Sequence, residues 1–253
     1  MKRTLLIALA LASSIHGIAQ NSVPSGTIIP LRLNSSLSSK KSKPGQAISA
    51  RVMQDVPLPD ASKIRAGAKV IGHVVAVQPE TNTSGSMMSL QFDTLVVSRQ
   101  SIPVVTNLRA LASTMAVHDA QIPENGPDRG TSENSWTTDQ IGGEVVYRGG
   151  GPVANGFRVV GTPAPNGVLV HISSRPGSEC RGEIDGNDRL QALWVFSSDV
   201  CGVYDLPDVT LIHAGRTDPV GKITLSSKRG DLHLQAGSGM LLRINKTLHS
   251  ETQ

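Results

Sequence analysis

Imidazoles are the first candidates for chemistry in this chain, since neutral histidine is a common metal ligand and a common general base. Beyond residue 20 the histidines are His73, His118, His171, His213, His233 and His249. No two stand at His-x-His or at i,i+4 spacing, and no carboxylate pattern accompanies them, so they predict no metal centre. A distant pairing such as His213 with His233 is disfavoured on the same spacing. Glu183-Ile184-Asp185-Gly186-Asn187-Asp188 clusters oxygens of the kind Ca²⁺ takes. Its glycine falls too early for an EF-hand and no glutamate closes the loop, so it reads as a hairpin turn. Ser238 sits in Gly237-Ser238-Gly239, too short for a nucleophile elbow. Arg148-Gly149-Gly150-Gly151 has the glycines of an oxyanion loop but no nucleophile, and reads as a turn. Phosphate-cradling glycine motifs are absent. The sequence therefore predicts no catalytic residue, no cofactor and no metal. Paired carboxylates for glycoside hydrolysis leave no sequence signature, so a hydrolase stays open as an alternative.

Two residue sets remain. The first is the cysteine pair, Cys180 and Cys201. In an oxidising compartment an even count predicts a disulfide. It would close a loop of about 20 residues, worth on the order of 3 kcal/mol in the chain-entropy picture. The second set is aromatic. Of seven aromatic residues, six fall between Trp136 and Tyr204. Trp136, Tyr147, Trp194 and Tyr204 form a candidate recognition surface, because Trp and Tyr dominate interface energetics. The bland alternative makes them the core of the second half, since aromatics mostly pack inside. Before residue 112 the core must be aliphatic.

Charge divides the chain. Residues 20–112 carry ten Lys/Arg against four Asp/Glu, whereas residues 113–253 carry twelve against sixteen. A basic half could meet anionic lipid, cell-wall polymer or an acidic partner. Nucleic acid is disfavoured, because no aromatic residues interleave with the basic ones as stacking platforms.

The elements that must position these residues are short strands. Thr27–Leu33, Ala47–Val56, Val70–Val77 and Met88–Val97 alternate or are β-branched, with turns between them. Leu108–His118 reads as the one helix past the leader, on its Ala and Leu content. Residues 119–140 read as a linker rich in Pro, Gly, Asn and Ser. Strands resume at Glu144–Tyr147, Phe157–Val160, Val168–Ser173 and Ala192–Phe196. They continue at Val209–His213, Lys222–Ser226, Asp231–Gln235 and Met240–Ile244. Ser25–Leu33 and Ser238–Ile244 share a faint pattern, a glycine turn entering an apolar strand with a near-central arginine. Chance explains it, or the two strands hold related places in one barrel.

At the N-terminus, Lys2 and Arg3 precede the apolar run Thr4–Ala12, and Gly17 and Ala19 fit signal peptidase. The expectation is a cleavable signal peptide, residues 1–19, cut after Ala19, with a periplasmic or secreted mature chain. The run is too short to span a bilayer, and no transmembrane segment follows. The expected organisation is all-β: a β-barrel or sandwich module at 23–112, a linker at 113–140 and a second β-rich module at 141–247.

Several pieces of the first module point to a family. They are Gly26-Thr27-Ile28-Ile29-Pro30, the turn Pro44-Gly45, Ala50-Arg51-Val52 with Asp55-Val56, and Ile64-Arg65-Ala66-Gly67-Ala68-Lys69-Val70-Ile71-Gly72. Over residues 25–105 the module resembles the C-terminal β-barrel of TrbI/VirB10-type envelope proteins. Arg65 stands where that family tends to have proline, a signal replaces the family's membrane span, and the acidic half has no counterpart. The whole chain is also similar to exported proteins of environmental Gram-negative bacteria. These resemblances imply a barrel fold and an envelope location. The expected function is an exported, non-enzymatic envelope scaffold or binding module, its partner an envelope protein or a cell-wall polymer. The alternative is an exported hydrolase of a cell-wall or extracellular polymer.

Overall fold

A computed structural model describes residues 23–124, 136–172 and 189–247. The expected signal peptide at residues 1–19, the segment 183–188 expected as a turn, Cys180 and His249 lie outside the described residues.

Period-2 alternation builds the first half. In β1 (Ile28–Leu33) the side chains of Ile29, Leu31 and Leu33 enter one core while Ile28 faces another. After the short β2 (Leu37–Ser38) comes β3 (Ala47–Val52), which buries every second residue. The short β4 (Val56–Pro57) and β5 (Lys63–Ile64) form a hairpin. Then follow the long β6 (Lys69–Gln78), β7 (Ser86–Val97) and β8 (Gln100–Ala112), and the six-residue helix α1 (Thr114–Asp119). The second half opens with six short strands: β9 (Thr137–Asp139), β10 (Val145–Tyr147), β11 (Val153–Asn155), β12 (Arg158–Ala164), β13 (Gly167–Val170) and β14 (Gln191–Ala192). It closes with β15 (Gly202–Tyr204), β16 (Val209–His213), β17 (Ile223–Ser227), β18 (His233–Leu234) and β19 (Gly239–Thr247).

Six strands close a barrel in the order β8-β19-β1-β3-β6-β7, the β7–β8 pairing completing the ring. β15 extends it as a parallel neighbour of β8, and β17 with β16 extends it beyond β7. The interior is aliphatic apart from Phe92, as expected from the early composition. β9 to β14 form a separate antiparallel six-stranded sheet. It lies against the outer wall of the barrel: Ile28, Ala110, Ala112 and Leu241 share a second core with Val146, Val168, Trp194 and Phe196. The fold is therefore all-β, a barrel followed in sequence by a second β-rich unit.

Strand pairing divides the chain differently from the boundaries 23–112, 113–140 and 141–247. Of the strands after residue 201, β15, β16, β17 and β19 join the barrel sheet and β18 pairs with β2, whereas β9 to β14, within residues 137–192, build the second sheet. β19 supplies the reason. It runs antiparallel between β1 and β8, with Ile28 opposite Arg243 and Leu31 opposite Met240. The two glycine-led segments that look alike in sequence are thus adjacent staves of one barrel.

The expected helix at Leu108–His118 is half strand. Leu108–Ala112 completes β8, where β19 pairs on one side and β15 on the other. An apolar run buried on both faces has no period to betray it, and Ala and Leu bias the reading toward helix. The helix starts only at Thr114, behind Ser113, whose Oγ accepts the Ala116 N–H at 3.0 Å.

One glycine is required by the ring. At Gly72, beside a bulge in β6, a Cβ would stand 2.0 Å from the Gln91 carbonyl oxygen of β7. Gly72→Ala should lower stability by about 3 kcal/mol or more, because the obstacle is backbone and cannot rotate away. Urea unfolding of the variant against the parent checks this; an unchanged midpoint would contradict it.

Candidate functional site

The sequence candidates scatter on the fold. His73 lies on β6 and pairs with Asp93 of β7 at 3.0 Å, half exposed. Nδ1 of His213, on the edge strand β16, accepts the Gly215 N–H. His233 lies on β18, opposite Ser38. Among the described residues no group of three or more His, Cys, Asp and Glu could hold a metal. His118 and His233 line one cleft with Ser113 and Asp205. Ser113 Oγ there donates to Asp205 and caps α1, and no imidazole bonds to it.

Tyr147 and Tyr204 do not join the tryptophans. Tyr147 is exposed and packs over Gly151. Tyr204 folds back on the turn before it: its hydroxyl accepts the Cys201 N–H and donates to the Cys201 carbonyl. Phe157 projects from the β11–β12 turn fully exposed, so the second unit's aromatics are not all core. Trp194 and Phe196 are core, at 3% and 0% exposure.

Trp136 and Trp194 do come together. They line a cleft of about 660 Å³ where the barrel meets the inserted sheet. Three stretches of chain build it. The barrel supplies Arg51, Val52 and Met53 from the end of β3, and Ala66 and Gly67 from the turn before β6. The inserted sheet supplies Thr138, Arg148, Asn166 and Gly167. The segment after α1 supplies Gln121 and Pro123. Among the described residues the lining holds two guanidinium groups and no Asp or Glu.

Each wall is fixed from behind. Arg148 is half buried; its Nε donates to Thr138 Oγ1 at 3.1 Å and its Nη1 to the Gly167 carbonyl at 3.0 Å. Burial pulls its pKa below the ordinary guanidinium value, but a guanidinium stays charged. Trp194 holds a left-handed backbone, φ 55°, a strained state for a bulky residue. Gln54 clamps that state: its Oε1 accepts the Trp194 N–H at 2.8 Å and the Val168 N–H at 3.2 Å, while its Nε2 donates to the Val168 carbonyl at 2.7 Å. Gly167 has no side chain because a Cβ would stand 2.2 Å from that Oε1. Trp136 Nε1 is buried without a hydrogen-bond partner among the described residues.

The rim differs from the floor in its charge balance. Lys63 and Arg65, on the hairpin below the cleft, are both matched by Asp55, at 2.7 and 3.1 Å. The Lys63 hydrogen bond, then that of the Ala66 N–H, holds the Asp55 carboxyl down to about 2. Arg51 has no such partner among the described residues.

On the far side of β9, Asp139 and Glu124 face each other through a side-chain hydrogen bond. Burial, and then the Glu124 charge, raise the Asp139 pKa above 3.8. A raised carboxyl pKa makes the folded state bind more protons than the unfolded one. Its stabilisation is therefore fully present below about 3.8 and is lost as pH rises through the raised folded value. Asp139→Asn should flatten this pH dependence and stabilise the protein at neutral pH. Thermal melts at stepped pH check it; parallel curves for parent and variant would refute it.

Sequence reasoning found the two tryptophans but missed Arg51, Gln54 and Arg148. The basic early half pointed toward Arg51. Gln54 gives no signal, because its partners lie more than a hundred positions away. Comparison with protein families and with curated proteins returns no match for this chain.

Proposed function

We propose that the protein is an exported, non-enzymatic binding module of the cell envelope, and that it binds its ligand in the cleft between barrel and inserted sheet. One observation carries the reading: a concave site whose lining, among the described residues, joins two tryptophans and two arginines without a carboxylate. Such a lining suits recognition, with an apolar floor and a few fixed polar groups that orient a ligand. Among the described residues it offers no carboxylate pair of the kind a glycosidase uses. The secretory signal at residues 1–19 supports a periplasmic or secreted location, and the similarity to TrbI/VirB10-type barrels supports the envelope. Titration of the purified protein with muropeptides and neutral and acidic sugars tests the reading. Saturable binding without turnover is expected. Turnover would favour the hydrolase, and no binding to any of them would remove the proposed site.

The same compartment supports a disulfide between Cys180 and Cys201. Cys201 lies half buried on the turn entering β15, its backbone held by Tyr204. Alkylation without reductant should leave the mass unchanged; two alkylated thiols would refute the bridge.

A further inference from the structure

The wall beside the cleft carries a charge arrangement that folding alone disfavours. Arg32 of β1 stands directly opposite Arg51 of β3, and Arg51 directly opposite Lys69 of β6. Directly opposed residues point to the same face of a sheet, and like charges so placed destabilise it. All three side chains are exposed on the outside of the barrel. None makes an ion pair or a hydrogen bond through its side chain among the described residues, although Asp55 pairs twice on the neighbouring hairpin. Adjacent strands are about 4.8 Å apart, so the three cations form a row about 10 Å long across the strands. The row ends in no neutralising group, and its middle member, Arg51, is also a lining residue of the cleft that holds Arg148.

We infer that this row and the cleft form one binding track for a linear polysaccharide bearing a carboxylate on successive sugars. The inference rests on the cleft being the ligand site. Three observations select this chemistry. The cation step of one strand spacing is close to the advance of one pyranose ring in an extended chain, so successive carboxylates can meet successive cations. The cleft end offers what a sugar needs: the amide side chain of Asn166 for hydroxyl groups, the ring of Trp136 for an apolar sugar face, and the outer guanidinium N–H groups of Arg148 for a carboxylate. A membrane surface fits less well, since the exposed apolar side chains Met115, Phe157, Val159 and Ile212 all lie outside the cleft lining. A single-stranded nucleic acid lacks a series of aromatic platforms along the row.

The test measures binding of full-length oligogalacturonate, a neutral oligoglucose of equal length, and poly-glutamate by calorimetry at two salt concentrations. Micromolar, salt-sensitive binding of the oligogalacturonate is expected, with the neutral sugar and poly-glutamate at least about tenfold weaker. Arg51→Gln should weaken the oligogalacturonate about tenfold, as befits a charged hydrogen bond. Arg32→Gln and Lys69→Gln should each weaken it about threefold, as exposed ion pairs do. All three positions are exposed, so the variants keep their fold. Neutral oligoglucose binding as tightly as oligogalacturonate would overturn the inference and leave the binding module standing. Equal binding of poly-glutamate would overturn the sugar assignment, and an Arg51→Gln protein that binds oligogalacturonate like the parent would overturn the track. If neither sugar nor any muropeptide binds, the binding reading falls as well.

Discussion

Glu144→Ala is expected to cost about 3–5 kcal/mol of folding stability, a large share of what a domain of this size holds. The reason lies in a buried polar knot between the barrel and the inserted sheet. Glu144 is fully buried just before β10; its carboxylate accepts the Ser198 N–H at 2.9 Å and the Ser198 hydroxyl. Its own N–H donates to Ser197 Oγ at 3.2 Å. From the barrel side Arg109 of β8, only 1% exposed, donates through Nη2 to the Ser198 carbonyl at 3.2 Å. A carboxyl group and a guanidinium thus meet across one buried residue. Removing the carboxylate strands two donors, the Ser198 N–H and hydroxyl. Glu144→Gln keeps the shape and should cost less. Arg109→Met paired with Glu144→Ala should be less damaging than the sum of the two, with a coupling of about 0.5–3 kcal/mol. Strict additivity in chemical denaturation would show that the two charges do not sense each other.

Gln54→Ala is expected to cost about 2–4 kcal/mol and to weaken any cleft ligand as well. The buried amide of Gln54 serves three backbone groups of the inserted sheet, at Val168 and Trp194, from a position just past β3. Alanine leaves the Val168 and Trp194 N–H groups without that acceptor, and it releases a clamp on the left-handed Trp194 backbone, whose carbonyl keeps the weaker bond from Gln140 Nε2. Stability and ligand affinity should therefore fall together. Gln54→Glu separates the two roles: it retains the acceptor for the two N–H groups but loses the donor to the Val168 carbonyl. A variant with normal unfolding and normal binding would show that the clamp is not needed.

The sequence made the strands of the barrel legible because their signal is local. Ala47–Val52 and Lys69–Gln78 alternate by themselves, whatever they pair with. Pairing order is not local. That Gly239–Thr247 completes the barrel rather than ending the second unit depends on a partner at Ile28–Leu33, and only a weak likeness between the two segments hinted at it. Leu108–Ala112 misled for a related reason: burial on both faces erases the alternation. At the site, the tryptophans stood out by rarity. Arg51 and Arg148 did not, because one is part of an ordinary basic strand and the other sits in a glycine turn. Their meeting is set by how the sheet lies on the barrel wall, which no spacing along the chain encodes.

The position of β19 also sets the order of events in biogenesis. Its strand fills the gap between β1 and β8, so the ring stays open until the chain has been made through Thr247. A nascent chain held at its C-terminus therefore presents two unpaired strand edges and an aliphatic trough at once, the surfaces that draw other chains into aggregates. The inserted sheet, whose strands pair only with sequence neighbours, can form before that moment. It then stands ready as the wall against which the last strand is laid, through Leu241 on its outer face.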